Sequence, residues 1–314
     1  MGRFEDNTLS DGAFINNASE GSQNQLKEIE AQIHELESSA LITEAHGDLG
    51  TVIYRNWQPW GDQMGGELVV MLHGGSGSWS HWIRNIPRLS DYYELLVPDL
   101  PSLGDSSLLP KGTTPQGVAG LVSQTLRQMV GPRRFHLVAF SWGCVIAALA
   151  APDLAAQVKS ILLVGPASTG RAPEKSVMKP LVARNDQMSE ADISAANREN
   201  LGRLMIYSPQ KIDELAVVLQ NRNTAKARYN SPKYAMTELL LDGLSQTTAN
   251  LLVVYGAQDA VSVPNLKWRE SQILGARPDA EFETVSGVGH WLQYESAEWF
   301  NQRAVAWIDQ NIFA

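Results

Sequence analysis

The chain has 314 residues, 44% of them hydrophobic and 19% charged, with a formal net charge of −9. That composition suits one large globular domain or two small ones with a sizeable core. The acidic balance argues against nucleic acid or an anionic membrane as partner.

Cys144 is the single cysteine, so an intrachain disulfide is excluded and nothing points to an oxidising compartment. The opening Met1-Gly2-Arg3-Phe4-Glu5-Asp6 lacks the basic-then-apolar pattern of a secretory signal. No apolar run approaches the length of a membrane span. The expectation is a cytoplasmic protein with no membrane partner.

Residues 1–22 are polar and rich in Gly, Ser, Asn and Asp, and read as disordered. Leu26, Ile29, Ile33 and Leu36 then recur in steps of three and four, one stripe of a short amphipathic helix. Such a helix docks on its own domain or pairs with a second chain. The second case would make the protein a homo-oligomer, although two heptads are too few to argue a coiled coil. Residues 1–40 are therefore read as an N-terminal extension.

From residue 41 the pattern changes. LITEA and TVIYRN flank His46–Gly50 and read as a β-hairpin. Apolar strands follow at 68–72, 93–98, 135–140, 160–164 and 250–255, with a weaker one at 281–285. Helical stretches lie at 79–89, 115–129, 142–152, 263–274 and 295–311. Near-continuous apolar strands alternating with amphipathic helices imply a mostly parallel sheet covered on both faces. Residues 167–248 interrupt the rhythm. They carry helical patterns at 189–206 and 210–227 and no convincing strand, and read as a helical cap inserted in a core of 41–166 and 249–314.

Ala139-Phe140-Ser141-Trp142-Gly143 sits where strand 135–140 meets helix 142–152. A serine on such a sharp turn is strained and exposes its hydroxyl, and its neighbours two residues away must be small. The bland alternative is a serine that only caps the helix. The Trp142 N–H would lie at the helix N-terminus, where it can donate to a developing oxyanion.

His73-Gly74-Gly75-Ser76-Gly77 follows strand 68–72. Its glycines allow close backbone approach to a substrate. Gly75 is the candidate second oxyanion donor, with Ser76 its nearest competitor. The loop lacks the ending of a phosphate loop and the spacing of a dinucleotide fingerprint.

A serine hydroxyl needs a neighbouring base. Of six histidines, only His290 lies in a glycine-rich loop after the last strand. His73 is expected to support the oxyanion loop, and His81 to begin a helix. Asp259 leaves the carboxyl end of strand 250–255 and is the candidate group to orient the base. Asp242 and Glu295 are its rivals. The order Ser141, Asp259, His290 is the one this kind of fold uses.

On HGGSGSW, PDLPSLGDSS (98–107), AFSWG, YGAQDAVSVP and GVGHW, the chain from residue 41 onward resembles the α/β-hydrolase superfamily. The resemblance implies a mostly parallel eight-stranded sheet with one antiparallel early strand, helices on both faces and a helical cap. A serine in the elbow argues against haloalkane dehalogenases and epoxide hydrolases, which use aspartate there.

His290-Trp291-Leu292-Gln293-Tyr294-Glu295 and the cap segment 199–223 are similar to the meta-cleavage product hydrolases, which break carbon–carbon bonds in ring-opened aromatics. That likeness implies that Trp291 lines the pocket and that a cap arginine binds the substrate carboxylate. Arg222 is the nearest match and Arg228 stands behind it. Their elbow usually reads Gly-Asn-Ser-Met-Gly. Phe140 and Trp142 flank the serine here, and the Asn lost before the nucleophile removes a polar neighbour and makes the pocket floor more apolar.

The reading is a serine hydrolase of a small to medium apolar carboxylic ester. Ser141 is the nucleophile, His290 the base, Asp259 its orienting acid, and Gly75 and Trp142 the oxyanion donors. Gly74, Ser76, Phe140, Trp291 and Arg222 are the candidate pocket residues. Trp79 and Trp82 lie beside the same motifs, although tryptophans often simply pack a core. Carbon–carbon hydrolysis is the alternative activity, and a non-catalytic receptor on the same fold is a third reading. No metal or organic cofactor is implied, since no His/Cys/Asp cluster has ligand spacing.

Overall fold

The computed structural model describes residues 12–59, 66–185 and 187–314. Helix α1 (Gly12–Ser38) precedes a β-hairpin of β1 (Leu41–Gly47) and β2 (Gly50–Trp57). Strand β3 (Leu68–Leu72), a 3-10 turn at Trp79–Trp82, α2 (Ile86–Leu89) and β4 (Glu94–Pro98) follow. Next come α3 (Pro115–Val130), β5 (Phe135–Phe140), α4 (Trp142–Ala150) and β6 (Val158–Val164). The interval to β7 (Asn250–Gly256) holds α5 (Glu190–Asn200), α6 (Glu214–Lys226) and α7 (Leu239–Leu244). The chain closes with α8 (Leu266–Ala276), β8 (Glu281–Val285), α9 (Leu292–Glu295) and α10 (Ala297–Gln310).

The eight strands form one sheet in the order β1-β2-β4-β3-β5-β6-β7-β8. Strand β2 pairs antiparallel with both β1 and β4, and all other pairs are parallel. It is therefore the single strand that runs against the rest, as expected.

Strands β3 to β5 are buried along their whole length, which explains their unbroken apolar runs. Side chains alternate between faces. Leu68, Val70, Leu72, Leu137 and Ala139 face a core shared with α3, α4 and α7. Val69, Met71, Val138 and Phe140 face a second core with Trp82, α9, α10 and part of α6. Because β4 and β5 flank β3 on opposite sides, the sheet changes winding direction beside β3. The crevice at the carboxyl ends of β3 and β5 is where this topology places a ligand site.

Three sequence expectations are corrected. Helix α1 already runs from Gly12, so the described part of the stretch read as disordered is helical; residues 1–11 lie outside the described residues. Ile33 is buried and Ile29 and Leu36 pack against the core. Once that docked stretch is helical, adding residues upstream needs no new nucleus.

The helix expected at 79–89 is broken in two, with Pro87 in the first turn of α2. A proline is tolerated there but not in a helix interior. Finally, α7 does not stand over the site. Leu240 and Leu244 join the core around α4, and a side chain at Gly243 would strike the Ala148 carbonyl. The last part of 167–248 thus packs as core. Among the described residues of that interval there is no strand.

Helix α1 is tied down by charge as well as apolar packing. Buried Arg55 donates to Glu37 of α1 (2.9 Å), to Asp99 (3.0 Å) and to Asp105 (2.6 Å). Asp99 also accepts the Trp79 N–H at 2.7 Å. Removing Arg55 would leave the fully buried Asp99 carboxylate without its cation, a loss of about 3–5 kcal/mol.

Candidate active site

Ser141 ends β5 and caps α4 with φ 50° and ψ −112°, a left-handed conformation rare for a serine. Its N–H donates to Val164 O at 2.8 Å, and its hydroxyl makes no helix-capping bond. The turn is this tight because Gly143 lies on the end of β3. A Cβ there would sit 2.5 Å from the His73 carbonyl oxygen and 2.6 Å from that of Leu72. Strain of this kind persists where surrounding structure over-determines it, and it marks functional turns.

His290 Nε2 lies 2.9 Å from Ser141 Oγ, and His290 Nδ1 lies 2.8 Å from Asp259 Oδ2. A carboxylate only accepts, so Nδ1 carries the proton and Nε2 presents its lone pair to the serine hydroxyl. Asp259 is fully buried and also accepts the Val261 N–H (2.9 Å) and the Ser262 hydroxyl (3.2 Å). These bonds fix the carboxylate independently of the histidine.

The rival acid Glu295 is occupied elsewhere. It accepts the N–H groups of Tyr207 (3.0 Å), Ser208 (2.7 Å) and Gly289 (2.8 Å), fastening the chain after α5 to the His290 loop. Asp242 sits on α7, against α4. Gly165, which the sequence reading did not single out, has φ +53°, and a Cβ on it would come within 3.1 Å of His290 Nδ1. Its position directly after an apolar strand was the available signal.

The glycine loop after β3 is held by two buried histidines. His73 Nε2 accepts the Leu100 N–H at 2.8 Å, so its Nδ1 carries the proton and donates to Gly74 O at 2.8 Å. His81 Nδ1 accepts the Gly74 N–H at 3.2 Å. Within a trans peptide the C=O and the next N–H point opposite ways. Anchoring Gly74 O therefore leaves the Gly75 N–H on the other edge of the same rigid unit. His73 supports the loop as expected. His81 was expected only to begin a helix, and its contact with Gly74 was missed.

Both imidazoles are held below the usual histidine range, chiefly by burial; His81 lies well below it, because a proton there would also be opposed by any charge on His73 or His290. Unfolded, each would take up a proton near pH 6.5 that the folded site refuses. The unfolded state then binds more protons, so stability is lost as pH falls below about 6.5. We expect the urea midpoint to fall between pH 7 and 5, the unfolding free energy dropping by up to about 1.4 kcal/mol per pH unit for each such imidazole. A midpoint constant over that range would contradict the assignment.

A cavity of about 320 Å³ opens above Ser141. Gly75, Ser76, Phe140, Trp142 and His290 line it, together with Met178, Leu181, Leu204, Met205 and Val261. Helices α5 and α6 add Asn197, Asn200, Gln220 and Thr224. Trp142 stacks on Tyr229 and Tyr234, at ring separations of 5.4 and 5.9 Å, which joins the elbow to the segment above it.

Three expected pocket residues lie elsewhere. Gly74 is tucked beneath the loop, where a Cβ would lie 2.9 Å from the Phe140 ring. Trp291 is fully buried, donates its indole N–H to His81 O at 3.0 Å and stacks on Tyr294. Arg222 pairs with Glu30 of α1 and borders a separate cavity between α1 and α6.

The reason for the Arg222 correction is helical geometry. Gln220 and Thr224 are four residues apart and share the cavity face of α6, so the residue midway between them cannot share it. Arg228 also misses the cavity and donates to the carbonyls of Ala225 and Ala227. The arginine that reaches the cavity is Arg184, which the sequence reading did not weigh. Trp79 and Trp82 are core residues.

A doubly covered, mostly parallel sheet with a serine elbow after β5, and an acid and a histidine on loops after β7 and β8, defines the α/β-hydrolase fold. The Alpha/beta hydrolase family matches residues 69–303, and the chain belongs to that family. It is similar to a 2-hydroxy-6-oxononadienedioate/2-hydroxy-6-oxononatrienedioate hydrolase from Pseudomonas sp., 25% identical over 284 residues and covering 86% of this chain and 96% of that one. The meta-cleavage resemblance is borne out in that relative.

The chain is also 28% identical over 249 residues to the dihydrolipoyllysine-residue acetyltransferase component of an acetoin cleaving system from Cupriavidus necator. That match covers 76% of this chain and 62% of the relative, less than two thirds of its length. Among solved structures, naproxen esterase (carboxylesterase NP) from Bacillus subtilis superposes with a TM-score of 0.68 at 16% identity, covering 89% of this chain and 96% of that one. At that identity the likeness bears on the fold alone.

Proposed function

We propose that the protein is a serine hydrolase of small to medium apolar carboxylic esters. The observation that carries this reading is the hydrogen-bonded chain Ser141–His290–Asp259 at the floor of a largely apolar cavity. Ser141 Oγ attacks the ester carbonyl while His290 Nε2 takes its proton, and Asp259 stabilises the resulting imidazolium. The N–H groups of Gly75 and Trp142 receive the oxyanion. His290 then protonates the departing alkoxide, and water, activated by the same imidazole, releases the acid and frees Ser141. Helices α5 and α6 act as the lid that sets substrate choice.

Phe140, Trp142, Met205 and Val261 are among the apolar residues that line the cavity with Ser141. They favour an apolar acyl or alkoxy group, since an unpartnered charge would be costly against them. A receptor has no need of three aligned groups and a strained serine.

The second reading is carbon–carbon hydrolysis of a ring-opened dienoate, favoured by the Pseudomonas relative and by Arg184 at the cavity. Such a substrate must have its carboxylate held while it ketonises, which a charge-assisted contact from Arg184 would serve. The test sets aryl and alkyl esters beside a ring-opened dienoate, with wild type and Arg184→Ala. The expected result is faster ester turnover that Arg184→Ala changes by less than about threefold. Efficient dienoate turnover that collapses in Arg184→Ala, with little ester activity, would reverse the order.

A further inference from the structure

We propose that Ser231, on the segment above the sheet, supplies a third hydrogen-bond donor to the oxyanion; the inference rests on the serine-hydrolase reading above. Ser231 opens the 3-10 turn Ser231–Tyr234. It is 8% exposed and lines the cavity over Ser141. No hydrogen-bond partner for its hydroxyl is found among the described residues. Ser168, on the same cavity wall, differs: its hydroxyl donates to Tyr234 O at 2.7 Å. The residue is buried while its hydroxyl faces the cavity without a protein partner, so it is free to bond a ligand there.

The position is specific. A Cβ built on Gly75 would lie 2.3 Å from Ser231 Oγ and 3.5 Å from the Trp142 Cβ. The hydroxyl therefore rests against the Gly75 backbone, on the side of it that also meets Trp142. A side chain at position 75 would displace this hydroxyl, so glycine there keeps it in place.

The turn is held rigidly. The stack of Trp142, Tyr229 and Tyr234 packs it onto the elbow. Ser168 clamps it from below, its N–H donating to Ala235 O at 3.2 Å. An O–H fixed there can rotate its proton toward the carbonyl oxygen as that oxygen gains charge. Such donors act mainly in the transition state, because the bond strengthens as the charge develops.

The test is Ser231→Ala in the full chain, assayed on the best ester. We expect kcat to fall about 10- to 100-fold with KM within about threefold, somewhat less than for loss of a backbone-quality donor. Affinity for an arylboronic acid, whose adduct on Ser141 mimics the tetrahedral state, should fall by a similar factor. Ser231→Cys keeps the shape with a much weaker donor and should show most of the same loss, so it also serves if the alanine variant folds poorly.

A kcat within twofold of wild type in either folded variant would overturn the proposal. So would a rise in KM at unchanged kcat, which would mark an ordinary substrate contact. Ser141→Ala and fluorophosphonate labelling of Ser141 run alongside. If Ser141 proves dispensable, the reading of the whole site fails. If Ser141 is essential and Ser231 is not, this inference alone fails.

Discussion

Ser141→Ala is expected to lower kcat on an ester by about a million-fold, leaving only the turnover that binding and the oxyanion donors provide. The size follows from the geometry. The hydroxyl lies 2.9 Å from His290 Nε2, which presents a free lone pair, and no other side chain among the described residues is hydrogen-bonded to that nitrogen. Cys144 is three residues away but cannot substitute. It is fully buried, its thiol lies 3.3 Å from Ala139 O, and burial pushes its pKa up, so the thiolate does not form. The fold should be untouched, because the Ser141 hydroxyl caps no helix and its backbone bond to Val164 remains. The measurement pairs kcat with a thermal melt and with fluorophosphonate labelling of the wild type. A correctly folded Ser141→Ala protein with near-normal activity would remove the serine from the mechanism.

How far these features were legible in the sequence depends on what each residue packs against. Strands at 68–72 and 135–140 match their expected limits, because a continuous apolar run records burial along the whole strand. The elbow was legible for the same reason: Gly143 must be small to clear the Leu72 and His73 carbonyls, and that requirement is local.

Arg222 was not legible. Its helix was recognised, but which face of α6 meets the cavity depends on α1, whose docking brings Glu30 to the opposite side. Trp291 shows the same limit, since its indole is captured by His81 from a distant turn. Arg184 and Ser231 lie in or beside irregular segments, where no periodicity says which way a side chain points. Residues that act through local backbone constraint could thus be read from sequence. Those placed by contacts between distant parts of the chain required the tertiary structure.

Asp259→Asn is expected to cut kcat on the order of 10,000-fold while preserving the fold. The argument turns on which way the amide would sit. Oδ1 of Asp259 accepts the Val261 N–H at 2.9 Å, and Oδ2 accepts from His290 at 2.8 Å. The Val261 N–H admits only an acceptor, so asparagine would place its oxygen there and its NH₂ toward His290 Nδ1. That nitrogen must then accept, and the proton moves to Nε2, where it faces Ser141 Oγ and blocks removal of the serine proton. The imidazolium also loses the buried negative charge that stabilises it. Glu295→Gln provides the comparison, because its carboxylate joins the His290 loop to Tyr207 and Ser208 and does not touch the imidazole. It should alter KM or the melting temperature well before kcat. If Asp259→Asn stayed within about tenfold of wild type while Glu295→Gln lost activity on the scale of a triad member, the orienting acid would be Glu295.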